Sequence, residues 1–435
     1  MFLTARPALT LALGLLPVAL VPRVETALVW VGLVVLAIVV DVWWSTAPSA
    51  LTLTRDTSHT TGAPVRLGSP CTTEVIVANP RRRAVRLTAR DAWQPSAGAV
   101  QTRQALVVPT GGSAVLRTTL LPSRRGDLTA LGVTLRIRGP LGFAGRQRTT
   151  PVPGTIRVLP AFESRRHLPS RIARLRDLDG RAAVRVGGQG TEVDSLREYV
   201  RGDDVRSIDR RASARRRSVV VRTWQPERDR RVVLVLETGR LQAARVGEVP
   251  RLDASMDAAL LLAALAGRAG DRGDFVAGDR RVRARLRTRG RSTAPLQDVM
   301  ADLEPEFAEA NWPTLTAAVH SLGRHRALVV LLTPLEPAAV REGLLPVLAV
   351  LARHHRVVIA SVADPALAEM AAAPLSSNLV SDTYTAAAAR QGVVERDRLV
   401  RVLASIGVDV VEADPEHLPP ALADRYLAFK ARGLL

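Results

Sequence analysis

An apolar run from Ala27 to Val40, closed by Asp41-Val42-Trp43-Trp44, constrains this chain more than any other feature. As a helix, about 20 apolar residues cross the roughly 30 Å of bilayer hydrocarbon, and paired tryptophans suit the interfacial belt at its edge. Residues 1–22 form a second apolar run, broken by Arg6 and a few small polar residues. Between the two lie Pro22, Arg23 and Glu25, which leave room only for a tight turn. The pattern predicts a transmembrane helical hairpin within residues 1–45, its helices at about 5–22 and 26–44, with both outer ends on one side of the membrane. A cleaved signal peptide is the alternative for the first run, which is short, contains Pro17 and follows one positive charge. No small-x-small cleavage site follows it, and the second run anchors the chain in either case.

A chain of 435 residues exceeds one ordinary core, and its hydrophobic pattern changes twice beyond the hairpin. Over residues 50–160 short alternating segments recur, among them Glu74 to Val77, Val85 to Thr88, Ala114 to Thr118 and Leu131 to Ile137. Asn79-Pro80, Gly111-Gly112 and Gly139-Pro140 punctuate them. This spacing predicts an all-β sandwich. Residues 161–190 are arginine-rich and end in Gly187-Gly188-Gln189-Gly190, which reads as a basic connector. From 229 to 435, apolar strands (Val232 to Leu236, Ala327 to Leu332, Val357 to Val362, Val408 to Val411) alternate with helical stretches (Met256 to Gly267, Ala338 to Arg353, Arg396 to Ile406). Buried strands separated by helices predict a doubly wound, Rossmann-type α/β domain with its working edge at the strand C-termini.

The net charge of +20 points toward nucleic acid or an anionic surface, but Lys430 is the only lysine and the arginines are spread along the whole chain. Aromatic residues are only 3% of the total, too few to supply the stacking that accompanies nucleic-acid binding. Nucleic acid is therefore not the expected partner, whereas lipid head groups suit an anchored basic protein. Cys71 is the only cysteine, which excludes an intramolecular disulfide and a cysteine-built zinc site.

Several enzymatic signatures are missing. Lys430 stands outside any Gly-Lys-Ser/Thr loop, and there is no Gly-x-Ser-x-Gly elbow and no His-Glu-x-x-His pair. His354 and His355 are neighbours on an expected helix and point about 100° apart, a poor arrangement for sharing a metal and a better one for helix-end charge. Asp253 and Asp257, four apart near a helix start, read as surface charges complementing the helix dipole. No catalytic residue and no cofactor is expected.

The densest pattern lies within residues 191–228: Leu196-Arg197-Glu198-Tyr199, Gly202-Asp203-Asp204-Val205-Arg206, Ile208-Asp209, Arg211, and Ala212-Ser213-Ala214-Arg215. In order and spacing this run resembles the signature of the bacterial domain of unknown function 58 family. Arg124-Arg125-Gly126 and Gly139-Pro140-Leu141-Gly142 resemble that family's upstream pattern. One position departs from it, since Arg210 stands where the family has tryptophan. Asp203, Asp204 and Asp209 beside Arg206, Arg211 and Arg215 can form bidentate pairs that pin a turn. The same segment, with Arg197, Glu198, Tyr199, Gly202 and Ala214, is the candidate partner-docking surface.

The resemblance implies a von Willebrand factor A-like domain after the signature. Such domains often hold a divalent ion at the end of the first strand through Asp-x-Ser-x-Ser, a later threonine and a later aspartate. Here these positions read Glu237, Gly239 and Leu241, then Thr333 followed by Pro334, so a degenerate, metal-free site is expected. The resemblance also implies a bacterial inner-membrane scaffold or adaptor, without catalysis, that binds a MoxR-type AAA ATPase or an envelope-assembly partner. Arg6 and the arginines following the hairpin favour cytoplasmic soluble domains. Two other readings compete: an extracytoplasmic recognition or adhesion protein working through the sandwich, and a carboxylate-dependent hydrolase using Asp203, Asp204 and Glu237.

Overall fold

Along Val85–Trp93 every second residue is buried, so one face of the strand packs inward while Arg86 and Arg90 face water. The computed structural model describes residues 1–56, 64–185, 192–200, 208–216, 218–225, 230–288, 290–323, 325–373 and 380–435. They form two units, Met1–Ala161 and Phe162–Leu435.

In the first unit, Val85–Trp93 pairs with both Arg103–Val108 and Gly126–Arg138 in a seven-stranded sheet. That sheet also contains Phe2–Leu3, Ala144–Thr150, Thr155–Leu159 and Val65–Arg66. A second sheet runs in the order Thr52–Asp56, Cys71–Ala78, Ser113–Leu120, Ala99–Val100. Val75, Val77 and Leu116 of the second sheet share one apolar cluster with Val85, Leu87, Val133 and Leu135 of the first. A charged pair also joins the sheets. Arg55 Nη2 donates to Asp91 Oδ1 at 2.8 Å, Arg55 Nη1 to Asp91 Oδ2 at 3.0 Å and to Thr73 Oγ1 at 2.9 Å, and Trp93 Nε1 to Asp91 Oδ2 at 2.9 Å. The guanidinium also lies over the Trp93 ring, 5.0 Å from its centroid.

One helix of this unit, Val24–Trp44, is long and apolar enough to cross a membrane. Its large side chains Val24, Leu28, Val29, Leu33, Leu36 and Val39 are exposed, the inverse of a soluble core helix. The shorter apolar helices Arg6–Leu13 and Leu15–Leu20 precede it. Trp30 Nε1 donates to the Thr10 carbonyl at 2.9 Å, and a Cβ on Gly14 would sit 2.2 Å from the Trp30 ring, so glycine is what lets the helices approach there.

Asp41, fully buried near the end of the long helix, is bonded to the β-rich part of the same unit. Its carboxylate accepts backbone N–H groups from Leu141 at 2.7 Å, from Ala144 at 3.0 Å and from Phe143. Gly139 makes this seat possible, because a Cβ there would fall 2.3 Å from Asp41 Oδ1. Thr4 Oγ1 donates to the Gly142 carbonyl at 2.7 Å, and Phe2–Leu3 pairs with Ala144–Thr150, so both helical segments are tied to one loop.

The second unit contains a six-stranded sheet in the order Val282–Thr288, Arg272–Gly278, Arg231–Glu237, Leu328–Leu332, Arg356–Val362, Val408–Ala413, with all neighbours parallel except the outermost Val282–Thr288. Val232, Leu234 and Leu236 face the helix Arg251–Arg268, while Val233 and Val235 pack with Trp312–Leu322 and Leu345–His354. Both faces are covered, as near-continuous apolar strands require. Arg272–Gly278 and Val282–Thr288 were not expected, because glycines and Asp274 leave the first an apolar run of only three residues and arginines interrupt the second. The stretch Ala338 to Arg353 divides into Pro337–Ala339, a π-helical turn Val340–Leu344 and Leu345–His354.

The expectation of a basic connector over 161–190 is corrected for its larger part. Leu168–Arg185 is a helix, and Leu168, Ile172, Leu175 and Leu178 pack into the core of this unit. Their spacing of four, three and three is a helical stripe that the arginine density had obscured. Arg171 and Arg174, at the edge of this stripe, hold Asp424 at 3.0 and 2.6 Å. The readings of Asp257 as a surface charge and of His355 as a helix-end charge are corrected as well. Ser164 donates to the Asp257 carboxylate through Oγ at 2.7 Å, and burial pushes that carboxyl up to about 6. His355 is buried against His320, and burial pushes its pKa down, away from the charged form.

Candidate functional site

The central strand of the α/β sheet ends on Glu237, and the neighbouring strand is followed by Thr333, so parallel topology brings two distant residues together at one edge. Thr333 Oγ1 donates a short hydrogen bond to Glu237 Oε2. Glu237 is only 4% exposed, and burial raises its carboxyl to about 7, a shift that the Thr333 bond and the Arg251 charge reduce. Next along the chain, Thr238 Oγ1 donates to Asp279 Oδ2 at 2.8 Å, and Arg283 Nε donates to the same oxygen at 2.7 Å. These bonds fix the strand end from the other side.

Beside this edge opens a cleft of about 490 Å³, whose lining includes Glu237, Arg240, Glu309, Trp312, Thr333 and Glu336. Its volume lies within the range of pockets that take small ligands. At Gly239 a Cβ would meet Glu237 Oε1 and the Ala308 carbonyl oxygen at 2.8 Å each, so glycine is what fits beside the buried carboxyl. The structure gathers Glu237, Leu241, Thr333 and Pro334 around one cleft. Only Glu237 and Thr333 bring side-chain oxygens among these four. Among the described residues, no group of three or more His, Cys, Asp or Glu is arranged to hold a metal. Glu309, Glu336 and Glu342 carry no sequence signal for this place; the fold delivers them.

The signature segment forms a separate feature. Glu192–Glu198, which carries Arg197, pairs with Val220–Gln225, and the Tyr199 N–H donates to the Val219 carbonyl at 2.8 Å. Asp209 Oδ1 accepts the N–H groups of Arg211 at 2.9 Å and Ala212 at 3.0 Å, capping the helix Arg210–Arg216. Ser213 Oγ accepts the Val220 N–H at 2.9 Å, fastening that helix to the hairpin. Arg211, Ala214 and Arg215 are exposed. Gly202, Asp203, Asp204 and Arg206, and with them the expected pairing of those aspartates, lie outside the described residues.

A hairpin with a capped helix, joined to an α/β sheet with an open C-terminal edge, is the class of domain these elements define. Residues 195–401 match the model of a family described as protein of unknown function DUF58, which supports that family for this part of the chain. No curated protein matches the chain. Among solved structures, a PapD-like domain of human CEP192 is 11% identical, covering 27% of this chain and 90% of that one, with a TM-score of 0.22. The CARDB domain of a Pyrococcus furiosus protein, in complex with di-metal ions, is 13% identical, covering 27% and 91%, with a TM-score of 0.19. At these scores neither likeness defines the fold.

The buried glutamate makes a pH-dependent prediction. With the folded carboxyl at about 7 against an ordinary 4.5, the unfolded chain releases this proton at lower pH than the folded one. Stability is therefore lost as pH rises through that window, by about 3 kcal/mol at most. Glu237→Gln is expected to remove this loss and to stabilise the detergent-solubilised chain by about 2 kcal/mol at pH 8, with little change at pH 4.5. Thermal melts of both proteins at the two pH values test it. An identical pH dependence would show that Glu237 ionises as freely as in water.

Proposed function

We propose that this chain is a membrane-tethered scaffold or adaptor of the bacterial inner membrane, which binds a protein partner and catalyses nothing. The observation that carries the reading is the open cleft at the C-terminal edge of the sheet, where Glu237 and Thr333 stand in place of a full set of ion ligands. In this reading the α/β domain is von Willebrand factor A-like: its first strand is central, its third is the antiparallel outer strand, and its ion position has lapsed. The two facing sheets of the first unit act as a β-sandwich support. The N-terminal helices form a membrane hairpin, a reading supported by the pairing of Phe2–Leu3 with the sheet. Both units lie in the cytoplasm, and a reporter fused after Leu435 that is active only in the periplasm would overturn that placement.

The partner in this reading is a MoxR-type AAA ATPase, as the family resemblance implies. Affinity purification of the tagged full chain from native membranes, with ATP, with ADP and without nucleotide, is expected to recover such an ATPase in at least one state. Recovery of none in any state sinks the proposal. One observation favours a hydrolase instead: Thr333 donates to a carboxylate poised near neutrality, as a nucleophile does to its base. If the Thr333→Val and Glu237→Gln variants both complement a deletion fully, the hydrolase reading is removed.

A further inference from the structure

We propose that the cleft beside Glu237 is a socket for one cationic side chain, a guanidinium or an ammonium, presented by the protein partner. The inference rests on the reading of the chain as a binding protein and specifies what the partner must insert. In a chain of net charge +20, this one concavity is lined by Glu237, Glu309, Glu336 and Glu342 against the single guanidinium of Arg240. That guanidinium is already engaged, with Nη2 donating to Glu309 Oε1 at 2.9 Å. An anionic ligand would face uncompensated carboxylates, whereas a cation meets them as charge-assisted acceptors.

The inner end of the cleft supplies an acceptor in addition to the charge. Glu237 Oε2 is occupied by Thr333, but among the described residues Oε1 accepts no hydrogen bond, and Glu237 lines the cleft. Glu237 is only 4% exposed, and its second oxygen is left for a donor that enters through the cleft. The remaining walls suit the aliphatic stem of a long basic side chain, since Trp312, Ala338, Ala339 and Val340 bound the cleft. A divalent ion fits this donor set poorly, because it requires several convergent oxygens and would sit near Arg240. The charged groups facing Glu237 come from several elements: Arg240 and Glu309 from the loops at the edge, Arg251 from the start of the next helix, and Glu336 and Glu342 from the segment after Thr333.

The test uses the full chain in detergent micelles and follows three probes, acetyl-arginine amide, acetyl-lysine amide and the neutral acetyl-citrulline amide, by saturation-transfer NMR, with magnesium titrated separately. The arginine and lysine probes are expected to saturate at least about tenfold more tightly than citrulline. Glu237→Gln should abolish that preference. Arg240→Gln, which removes the resident cation and frees Glu309, should strengthen it about two- to fivefold, so the two variants move in opposite directions. Equal binding of citrulline, no saturation by any probe, or an unchanged preference in Glu237→Gln overturns the socket, as does saturable magnesium binding that Glu237→Gln removes. Should the probes fail while the ATPase still co-purifies, the socket alone is wrong. If they bind while no partner is recovered, the adaptor reading is the part that fails.

Discussion

Asp91→Ala is expected to destabilise the first unit by about 3–5 kcal/mol, enough to lower its melting temperature by roughly 10–15 °C. Asp91 is fully buried, the Arg55 side chain is 2% exposed, and the substitution strands both the guanidinium and the Trp93 N–H between two sheets. Breaking a buried pair costs far more than the pair contributes, because the surviving charge keeps its desolvation penalty. The double variant Arg55→Met with Asp91→Leu should therefore recover most of the loss. Differential scanning calorimetry of the wild type, the single variants Arg55→Met and Asp91→Leu, and the double variant measures the coupling directly. Additive losses would mean that water reaches Arg55, contrary to its burial.

The second large effect is expected at Asp41. Asp41→Ala removes the acceptor for three backbone N–H groups, two of them at 2.7 and 3.0 Å, in a seat closed to solvent. Stranded buried donors cost about 1–3 kcal/mol each, and partial rewetting of the loop holds the total to about 3–5 kcal/mol. Proteolysis of residues 139–145 in proteoliposomes, slow in the wild type, should accelerate by more than tenfold. Asp41→Asn retains one acceptor oxygen and should fall between them. Unchanged protection in Asp41→Ala would mean that the loop holds its shape without the helix.

The elements most legible in the sequence are those whose burial is uniform. Arg231–Glu237, Leu328–Leu332 and Arg356–Val362 are nearly unbroken apolar runs, and each falls within a residue or two of its expected place. Val282–Thr288 is a half-exposed outer strand in which arginine alternates with small or apolar residues, so it carried no core signal. In Leu168–Arg185 the apolar stripe was present, but composition outweighed period. The site was legible in part. Glu237 and Thr333 could be placed through a family resemblance, whereas Glu309, Glu336 and Glu342 meet them only after the chain has crossed the sheet. Asp41 did carry a signal, a carboxylate at the end of an apolar run. Its partners lie about a hundred residues away, with nothing in the intervening sequence to point to them.

The tie between the first residues and the Gly139–Ala144 loop also sets an order of events during synthesis. Thr4 and its acceptor Gly142 are 138 positions apart, and Phe2–Leu3 cannot join the sheet until Ala144 and Gly145 have left the ribosome. The apolar helices are thus made long before the groups that receive Asp41 and the edge strand exist. Contacts of such long sequence separation form late, after most of the loop-closure entropy has been overcome. Meanwhile the apolar segments must be sheltered by lipid or by a chaperone. The loop then closes over helices already made, so that these helices act as the template on which the β-rich unit completes its folding.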